Sequence, residues 1–533
     1  MKGDIILANR RKPNTKGPKF RENQEDELEE KKFSKRKYRN DPSWHAITPE
    51  LVEDLGRKSF YHPQGSTLSI TGNKLNSSNI VFPGLAAIRF IPSCGQTDGN
   101  GGVNLAANQI YSFVRHANSG SANYNAPDLM IYMMAEANVI MYYMHLARLW
   151  AIGKNYSPMN RYIPEAYFTA ANIDFNSFLS DPAKFKSRLD LLCQKINSRA
   201  IPAKFNYPKY LAYMVSGIFK ESDYDQSNQY IWMPECAFKY EGFTDSKGGM
   251  LTPVWLQPHD GLIVATRTAD QALDVLDELV SAINTDEDMG IISGDIMKAY
   301  GNDIYRISAI PYDYSLLPIK DDVMLHAIHN ATLCGTPVTE SIVIKQDPDG
   351  AETEGGKILC NYKFITEGAT SCSTRVLDSN TLTPAAADMV EWLRYTVIGS
   401  KQTWKTVGQV SGVYVWEVEY DTTPVIIPTS MIIYKFVGGA IVGYGFTSHI
   451  AQTNYGTEQN PIFGLDGNKI AELEKFDWHP LQYVTDFGAS APGAYANTPS
   501  LINIVGDVDV YTTYDVNESR TYNDIEIFSM FVA

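Results

Sequence analysis

Residues 103–164 read VNLAANQIYSFVRHANSGSANYNAPDLMIYMMAEANVIMYYMHLARLWAIGKNYSPMNRYIP, and their central run predicts the element around which the fold is built. Pro127 suits a first helical turn, because it has no N–H to satisfy and its φ is already fixed. Asp128 places a negative charge at the positive end of the helix dipole, and Gly153 is typical of helix ends. We therefore predict a helix from about Pro127 to Ile152, roughly 39 Å long at 1.5 Å per residue.

The apolar side chains of this helix surround its axis and do not form a single stripe, which indicates burial on most sides. A membrane span would need about 18 apolar residues with few or no charges. Four polar or charged side chains interrupt the run, namely Glu136, Asn138, His145 and Arg148. A charge near the bilayer centre costs a few kcal/mol. We therefore predict a core helix in which Glu136 pairs along the helix or with a neighbouring element.

Charge is unevenly placed along the 533 residues, whose net charge is −15. Residues 1–40 hold 13 Lys and Arg against 7 Asp and Glu, whereas the remainder holds 33 basic against 54 acidic residues. A basic tail on an acidic body indicates a polyanion partner for the tail alone. Apolar residues are too few in this segment for it to fold alone, so we predict a disordered basic N-terminal arm over residues 1–40.

Two interpretations of the arm remain open on the residues alone. In the first, basic side chains contact RNA phosphates without sequence preference and release counterions. The candidates are Arg10, Arg11, Lys12, Lys31, Lys32, Lys35, Arg36, Lys37 and Arg39. In the second, the arm is a solubilising tail whose acidic block, Glu22–Glu30, partly neutralises the basic residues.

The rest of the chain predicts an α+β fold that changes character along its length. Residues 41–235 are mainly helical, with helices expected near 103–117, 164–171, 176–179, 182–196 and 210–218 in addition to the long one. Residues 269–284 and 383–399 predict further helices. After about residue 340, β-rich runs separated by turns dominate: 341–345, 357–365, 410–420, 423–427, 431–437 and 440–447. The apolar run Asp524–Val532 is expected to dock into a sheet of this chain or of a neighbour.

Four patterns in the sequence could be sites for chemistry. The acids of the 269–284 helix, Asp270, Asp274, Asp277 and Glu278, are typical of a solvated face, with paired carboxylates for acid–base catalysis as the alternative. His326 and His329 lie at i,i+3 and could hold zinc, but without a second ligand pair they indicate core or surface histidines. Neither a calcium loop at 347–358 nor a phosphate loop at 95–102 has the required residues. We predict no catalytic residue, no metal site, no cofactor and no small-molecule substrate.

The six cysteines form no CxxC pair, and the opening residues lack the apolar run of a signal peptide. Free thiols in a protein made in a reducing compartment are therefore expected.

Three blocks of the sequence resemble picobirnavirus capsid proteins in composition, order and spacing. They are NDPSWHAITPELVEDLGRKSF (residues 40–60), SFVRHANSGSANYNAPDLMIYMMAEANVIMYYMHLARLWAIGKNYSPMNRYIP (112–164) and LPIKDDVMLHAIHNATL (317–333). The resemblance is clear over the first 240 or so residues, patchy to about 335 and not visible beyond.

This resemblance implies a structural protein, not an enzyme. It implies homodimers that close into an icosahedral shell around a segmented double-stranded RNA genome, in a virion assembled in the host cytoplasm. The expected fold is α+β with a mainly helical shell domain at 41–235 and a more β-rich projecting domain at 236–533, whose C-terminal strand docks on the shell or on a neighbouring subunit. The basic arm would face the RNA. The sequence carries no readable signal for membrane contact during entry.

Two other classes of protein stay open. One is an RNA-binding scaffold that forms no closed shell, and the other is a hydrolase with an unrecognised carboxylate site. Convergent Asp and Glu side chains in a deep pocket would favour the hydrolase.

Overall fold

The structure is a computed structural model. It describes residues 47–57, 66–72, 75–82, 84–95, 101–120, 123–155, 162–224, 227–242, 249–259, 261–346, 356–366, 373–399, 401–406, 414–437, 440–447, 452–454, 463–465, 467–486 and 500–533. The predicted basic arm and its nine candidate residues therefore lie outside the described residues, as do residues 347–355 of the segment weighed as a calcium loop. The chain divides into two units, Met1–His62 and Pro63–Ala533. In the first unit, helix α1 (Pro49–Gly56) starts with Pro49, after Thr48.

The second unit contains twelve further helices in its described part. The predicted ones lie within a few residues of their expected positions, except that the run 383–399 is helical only over 386–393. They are α2 (Gly102–Ala117), α3 (Ala126–Lys154), α4 (Tyr162–Ala170), α5 (Phe175–Ser180), α6 (Pro182–Ile196), α7 (Tyr207–Ser216), α8 (Ala269–Asn284), α9 (Glu287–Tyr300), α10 (Asp322–Asn330), α11 (Ala386–Leu393), α12 (Gly467–Leu473) and α13 (Val516–Phe531).

Strands occur throughout the described part of this unit and are most frequent after residue 336. They are β1 (Ser66–Gly72), β2 (Leu75–Phe82), β3 (Leu85–Pro92), β4 (Phe219–Lys220), β5 (Gln229–Pro234), β6 (Cys236–Glu241), β7 (Met250–Trp255), β8 (Thr336–Pro337), β9 (Ile344–Gln346), β10 (Ile358–Leu359), β11 (Phe364–Thr366), β12 (Thr374–Ser379), β13 (Lys401–Thr406), β14 (Tyr414–Glu419), β15 (Ile426–Val437), β16 (Ala440–Phe446), β17 (Gln452–Asn454), β18 (Phe463–Leu465), β19 (Gln482–Asp486), β20 (Ser500–Val505) and β21 (Val510–Asp515). The predicted α+β class is confirmed.

The long helix α3 begins with a capping box. The Asn125 side chain accepts a hydrogen bond from the Asp128 backbone N–H at 3.3 Å, and the Asp128 carboxylate accepts one from the Asn125 N–H at 2.9 Å. Two of the N–H groups that a helix start leaves unpaired are thereby satisfied. Almost every side chain along α3 is buried, and the exceptions are the half-buried Asp128 and Met144 and the exposed Lys154. The prediction of a helix buried on most sides is confirmed.

Gly153 does not end α3, contrary to the expectation from sequence. The helix continues to Lys154, and the ring of Phe178 from α5 lies against Gly153. A Cβ atom at this position would stand 2.2 Å from Phe178 Cε1. The glycine is therefore needed because an aromatic ring approaches the helix backbone closely.

The central sheet has the strand order β16-β15-β3-β5-β4. Strand β3 runs parallel to β5 and antiparallel to β15. The sequence predicted two separate strands in this region, at 423–427 and 431–437, but the structure has one strand, β15. Its pairing with β3 continues past an irregularity between Pro428 and Ser430. Proline has no N–H to donate to the ladder, which explains the local break in register. The sheet joins strands from both sides of residue 235, and the division into shell and projecting domains at that residue stays a prediction.

Two other β-rich runs are divided differently from the prediction. The run 357–365 forms β10 and β11, which pair with different sheets: β10 with β9, and β11 with β8 and β14. In the run 341–345, a 3₁₀ turn at Thr339–Ser341 precedes a strand that starts only at Ile344. Strand boundaries follow the pairing partner, which a local pattern does not contain.

The C-terminal run was expected to be a strand docked on a sheet, and this expectation is wrong. Residues Val516–Phe531 form helix α13, which begins with a capping box between Asp515 and Glu518. Its buried residues recur at helical spacing, at 519, 523, 526, 527, 530 and 531. The helix packs on α2, where the Asp524 carbonyl and the Phe528 N–H lie so close to Gly102 that a Cβ there would be 2.8 Å from each.

We predict that Gly153→Ala destabilises the unassembled protein by about 1–3 kcal/mol, because the new methyl group overlaps the Phe178 ring and the core has to shift. The matched control is Gly294→Ala in α9, where no atom lies within 4 Å of the new Cβ. That substitution should be neutral or stabilise by up to about 1 kcal/mol through helix propensity. Urea unfolding monitored by circular dichroism measures both, and equal effects of the two variants would contradict the role given to Phe178.

Candidate functional site

A buried ion pair joins the middle of α3 to the rest of the helical layer. The Glu136 carboxylate accepts from Arg199 Nε, and the two side chains are 1% and 6% exposed. Arg199 also donates to the Val280 carbonyl at 3.2 Å and to the Asn284 side chain, both on α8. Burial raises the pKa of Glu136, and the charge of Arg199 opposes that rise. Glu136 thus pairs with a neighbouring element, which is one of the two alternatives given by the sequence.

A second buried cation lies near the C-terminal end of α3. Arg148 donates through Nη2 to the Trp232 carbonyl on β5 at 2.9 Å and through Nη1 to the Gly217 carbonyl at 3.3 Å. Burial lowers its pKa to about 10. His145 Nδ1 lies 3.1 Å from Arg148 Nη2. Because burial and the charge of Arg148 hold the pKa of His145 well below its usual value, the imidazole is neutral and accepts this bond.

Asn138 completes the buried polar set of α3. Its Nδ2 donates to the Met134 carbonyl at 2.9 Å, and its Oδ1 accepts from the Phe238 N–H on β6 at 3.2 Å. The four polar residues that interrupt the apolar run therefore all bind other structural elements or each other. Their arrangement fixes the position of α3 and contains no nucleophile with an adjacent base.

The acids of α8 lie on a solvated face, as the sequence predicts, with side chains 40–64% exposed. They form ion pairs with cations on α6 and β6: Asp270 with Lys184 (2.6 Å) and Arg188 (3.3 Å), Asp274 with Arg188 (2.7 Å), Asp277 with Lys195 (2.6 Å), and Glu278 with Lys239 (2.9 Å). The side chains remain partly exposed, so each pair contributes little stability. Carboxylates held by cations in this way do not favour the acid–base alternative.

His326 and His329 are both in the core. The His326 ring packs between Trp392 and Trp478, at centroid distances of 5.4 and 4.5 Å. The two ring nitrogens of His329 lie 2.7 Å from the His479 carbonyl and 2.6 Å from the Asp507 carbonyl. Within the described ranges, no cluster of three or more His, Cys, Asp or Glu side chains could hold a metal ion. The two histidines instead connect α10 to the segment that contains β19 and β20.

A partly open cavity of about 110 Å³ contains a charged pair. It is lined by Arg89, Glu235, His259, Gly335, Thr336, Ser430, Ile432, Gly445 and Thr447. Arg89 Nη1 lies 3.9 Å from the Glu235 carboxylate and donates to the Pro258 carbonyl at 2.8 Å. Burial raises the pKa of Glu235 to about 7, and the charge of Arg89 limits the rise. Glu235 is the single carboxylate among the described lining residues, whereas a glycoside-type acid–base site uses two.

A further buried cation holds the C-terminal helix. Arg394 Nη1 lies 2.6 Å from the Glu391 carboxylate, and its Nε donates to Glu526 on α13. The guanidinium also stacks over the Tyr210 ring on α7, at 4.0 Å from the ring centroid. Sequence reasoning missed Arg199, Glu235 and Arg394. Glu235 is a lone charge within the apolar run 230–238. Arg199 and Arg394 have polar or charged neighbours in sequence, and none of the three settings identifies the distant partner.

No helix in the described part of the chain has the length and apolar character needed to cross a membrane.

Comparison with known proteins decides the family. The profile of the family described as "Picobirnavirus, Capsid protein" matches residues 44–354. The chain belongs to the picobirnavirus capsid protein family. A capsid protein precursor of Human picobirnavirus (strain Human/Thailand/Hy005102/-) is 26% identical over 485 residues, which is 84% of either sequence. The crystal structure of the picobirnavirus capsid is similar in fold, with a TM-score of 0.74 at 24% identity, covering 92% of this chain and 98% of the other.

These comparisons confirm the resemblance found in the sequence and extend it. The sequence blocks ended near residue 335, whereas the fold similarity covers 92% of this chain. As a picobirnavirus capsid protein, this chain has a structural role in the virion and associates with copies of itself in a shell. The buried charges described above stabilise the subunit from which that shell is built.

We predict that Arg199→Ala destabilises the subunit by about 3–5 kcal/mol, because it leaves the buried Glu136 carboxylate uncompensated. The double variant Glu136→Met, Arg199→Met should be less destabilised than Arg199→Ala, since it removes both charges and keeps volume. Lys184→Ala, which breaks an exposed pair, is the control and should cost less than about 1 kcal/mol. Denaturant unfolding of unassembled protein measures all three, and a double variant worse than the single one would refute this account.

We predict that the protonated Glu235 side chain contributes to the free energy of unfolding, and that this contribution is lost as pH rises from about 4.5 to about 7. Its pKa is raised from 4.5 to about 7 on folding. The folded state therefore holds the proton more tightly, and this contribution is complete below pH 4.5 and lost as pH rises through 7. A shift of this size corresponds to at most about 3 kcal/mol. Urea midpoints at pH 5 and pH 8 should differ less in Glu235→Gln than in wild type, whereas Glu340→Gln at an exposed position should match wild type.

Proposed function

We propose that this chain assembles through homodimers into a closed icosahedral shell that encloses a double-stranded RNA genome. The observation that carries the proposal is membership of the capsid protein family over residues 44–354. Similarity of fold to a picobirnavirus capsid over nearly the whole chain supports a shell-forming subunit. The role is structural, and the ion-paired acids of α8 and the single carboxylate of the Glu235 cavity do not favour the hydrolase alternative.

The basic arm would contact the genome without sequence preference. Residues 1–40 carry 13 basic and 7 acidic residues on a chain whose net charge is −15. The nine proposed phosphate contacts are Arg10, Arg11, Lys12, Lys31, Lys32, Lys35, Arg36, Lys37 and Arg39. Phosphate neutralisation by such residues releases counterions and is independent of base sequence. The acidic remainder would disfavour RNA on other surfaces of the subunit.

Two regions of the chain would have different places in the particle. We assign residues 41–235, which contain α1 to α7, to the shell, and residues 236–533 to a projecting domain that is richer in strands after about residue 340. Because β15 pairs with β3 and α13 packs on α2, part of the second region returns to the shell.

Assembly in the host cytoplasm is consistent with the cysteines. Five of the six lie in the described part of the chain, and all five are buried and free of disulfides: Cys94, Cys193, Cys236, Cys334 and Cys360. Reduced, buried thiols are the usual state of cysteine in a reducing compartment.

Electron microscopy of the purified protein, combined with absorbance at 260 and 280 nm on the same fraction, tests the shell and its RNA content. We expect uniform closed particles with excess absorbance at 260 nm for wild type. Removal of residues 1–40 should leave closed particles with little RNA, because the arm supplies genome contact and not the shell fold. A monomer or dimer over a range of salt and pH would refute the shell, and an open RNA-bound aggregate would favour the scaffold alternative.

A charge-neutralised arm separates electrostatics from arm length. Replacing the basic residues of 31–39 (Lys31, Lys32, Lys35, Arg36, Lys37 and Arg39) by Gln should reduce RNA uptake and lower the slope of log affinity against log salt by about 4–5, at roughly 0.7–0.9 for each lost contact. The control is a shuffled arm with unchanged composition, which should retain RNA if contact is nonspecific. Loss of RNA from the shuffled arm would refute nonspecific binding.

A further inference from the structure

An apolar segment without helix or long strand runs over the surface between α9 and α10. Residues 304–319, here called the strap, read IYRISAIPYDYSLLPI and contain two charged residues, Arg306 and Asp313. Outside the short bridges at Ile304 and Ile319 the strap belongs to no element. Connections longer than about 12–15 residues without secondary structure are uncommon in compact domains and are usually functional when ordered.

The strap is hydrogen-bonded to the rest of the subunit near its start and near its end. At its start, the Tyr305 N–H donates to the Ile201 carbonyl at 2.8 Å. Asn197 makes two hydrogen bonds to Ile307. Its Oδ1 accepts from the Ile307 N–H at 3.0 Å, and its Nδ2 donates to the Ile307 carbonyl at 2.8 Å. Near its end, Asn155 at the end of α3 donates to the Leu316 carbonyl at 2.9 Å.

The last residue of the strap is also fixed. The Ile319 N–H donates to the Ile218 carbonyl at 3.0 Å, and the Ile319 carbonyl accepts from the Lys220 N–H at 2.9 Å. A backbone held in this way loses little conformational freedom when a partner binds, which favours affinity.

Large apolar side chains nevertheless point outward from this fixed backbone. Tyr312 is 71% exposed, Leu317 70% and Ile319 53%. Tyr213 on α7 is 46% exposed and lies beside the end of the strap, where its hydroxyl donates to Asp321 at 3.3 Å. Together these side chains expose on the order of 500 Å², within the range of the largest apolar patches on monomers. A standard interface buries about 800 Å² per partner, so these four side chains supply more than half of the area that one partner needs.

We propose that the strap is a contact between copies of this chain in the shell. The inference rests on the proposed function, since a shell subunit has to meet other copies over apolar surface. Charge supports a second copy as the occupant. Subunits with a net charge of −15 repel one another, and they approach best through a face with few charges. Interface centres are poor in charged residues and rich in tyrosine, and the strap has both properties.

The test compares Leu317→Lys with Leu382→Lys, which makes the same change at a side chain that is 86% exposed in the segment after β12. We expect Leu317→Lys to reduce the yield of closed particles about tenfold or more, because an unpaired charge would be buried in the contact. Leu382→Lys should assemble as wild type does. Sedimentation and electron microscopy give the yield, and near-ultraviolet circular dichroism with thermal melting shows whether each variant is folded.

A second measurement covers the case in which Leu317→Lys fails to fold. In Leu317→Cys, a maleimide should label the new thiol in unassembled subunits and be excluded in particles, with wild type as the background for native cysteines. Equal labelling in both states overturns the proposal, as does normal assembly of Leu317→Lys, or an equal loss of assembly in Leu317→Lys and Leu382→Lys. If wild-type protein forms no particles, both the proposed function and the strap contact are overturned. If wild type forms particles and the Leu317 variants behave as controls do, only the strap contact is overturned.

Discussion

Pairing of charges that have lost their water is the constraint on which this fold depends. Helix α3 is buried around its whole circumference, yet it carries Glu136 and Arg148. An isolated charge in such surroundings costs several kcal/mol after relaxation. Each charge is therefore compensated by a different part of the subunit, Glu136 by Arg199 and α8, and Arg148 by the carbonyls of Trp232 and Gly217. These contacts attach both the helical layer and the central sheet to α3.

The same solution recurs at the C-terminal helix. Arg394 compensates Glu526 while it stacks on Tyr210, so α13, α11 and α7 meet at one guanidinium. Apolar packing supplies most of the folding free energy but is not directional. Buried ion pairs with carbonyl partners add direction, because a misplaced element would leave a charge without compensation. For a shell subunit this matters, since many copies have to present the same surface geometry to one another.

Local chemistry allowed part of this structure to be predicted. Pro127 and Asp128 indicated the start of α3, and the amphipathic run at 269–284 matches α8 in full. What failed depended on partners distant in sequence. The sequence did not indicate the cations that pair with the α8 acids, because most of these cations lie on α6, about 80 residues earlier. The apolar end of the chain is a different case, since it suggested a strand although its buried residues from Ser519 onward recur at helical spacing, which is a local signal.

The candidate site was less predictable than the fold. Family resemblance indicated a shell protein, but nothing in the sequence around Glu235 or Arg89 placed these two side chains in one cavity. The strap was also missed, because an apolar run without helical or alternating period predicts neither a core element nor a surface. Only the packing shows that its backbone is fixed and that several of its large side chains face outward.

The position of β15 beside β3 has a consequence for the order in which the subunit is made. Ile91 pairs with Ile427, so more than 300 residues have to leave the ribosome after β3 before its second neighbour exists. At a synthesis rate of about 5–20 residues per second, that interval is roughly 20 to 70 seconds. During this time one edge of β3 is open, and an open edge recruits other strands. A nascent chain therefore cannot complete the central sheet before β15 is made, and until then this edge of β3 can pair with strands of other chains.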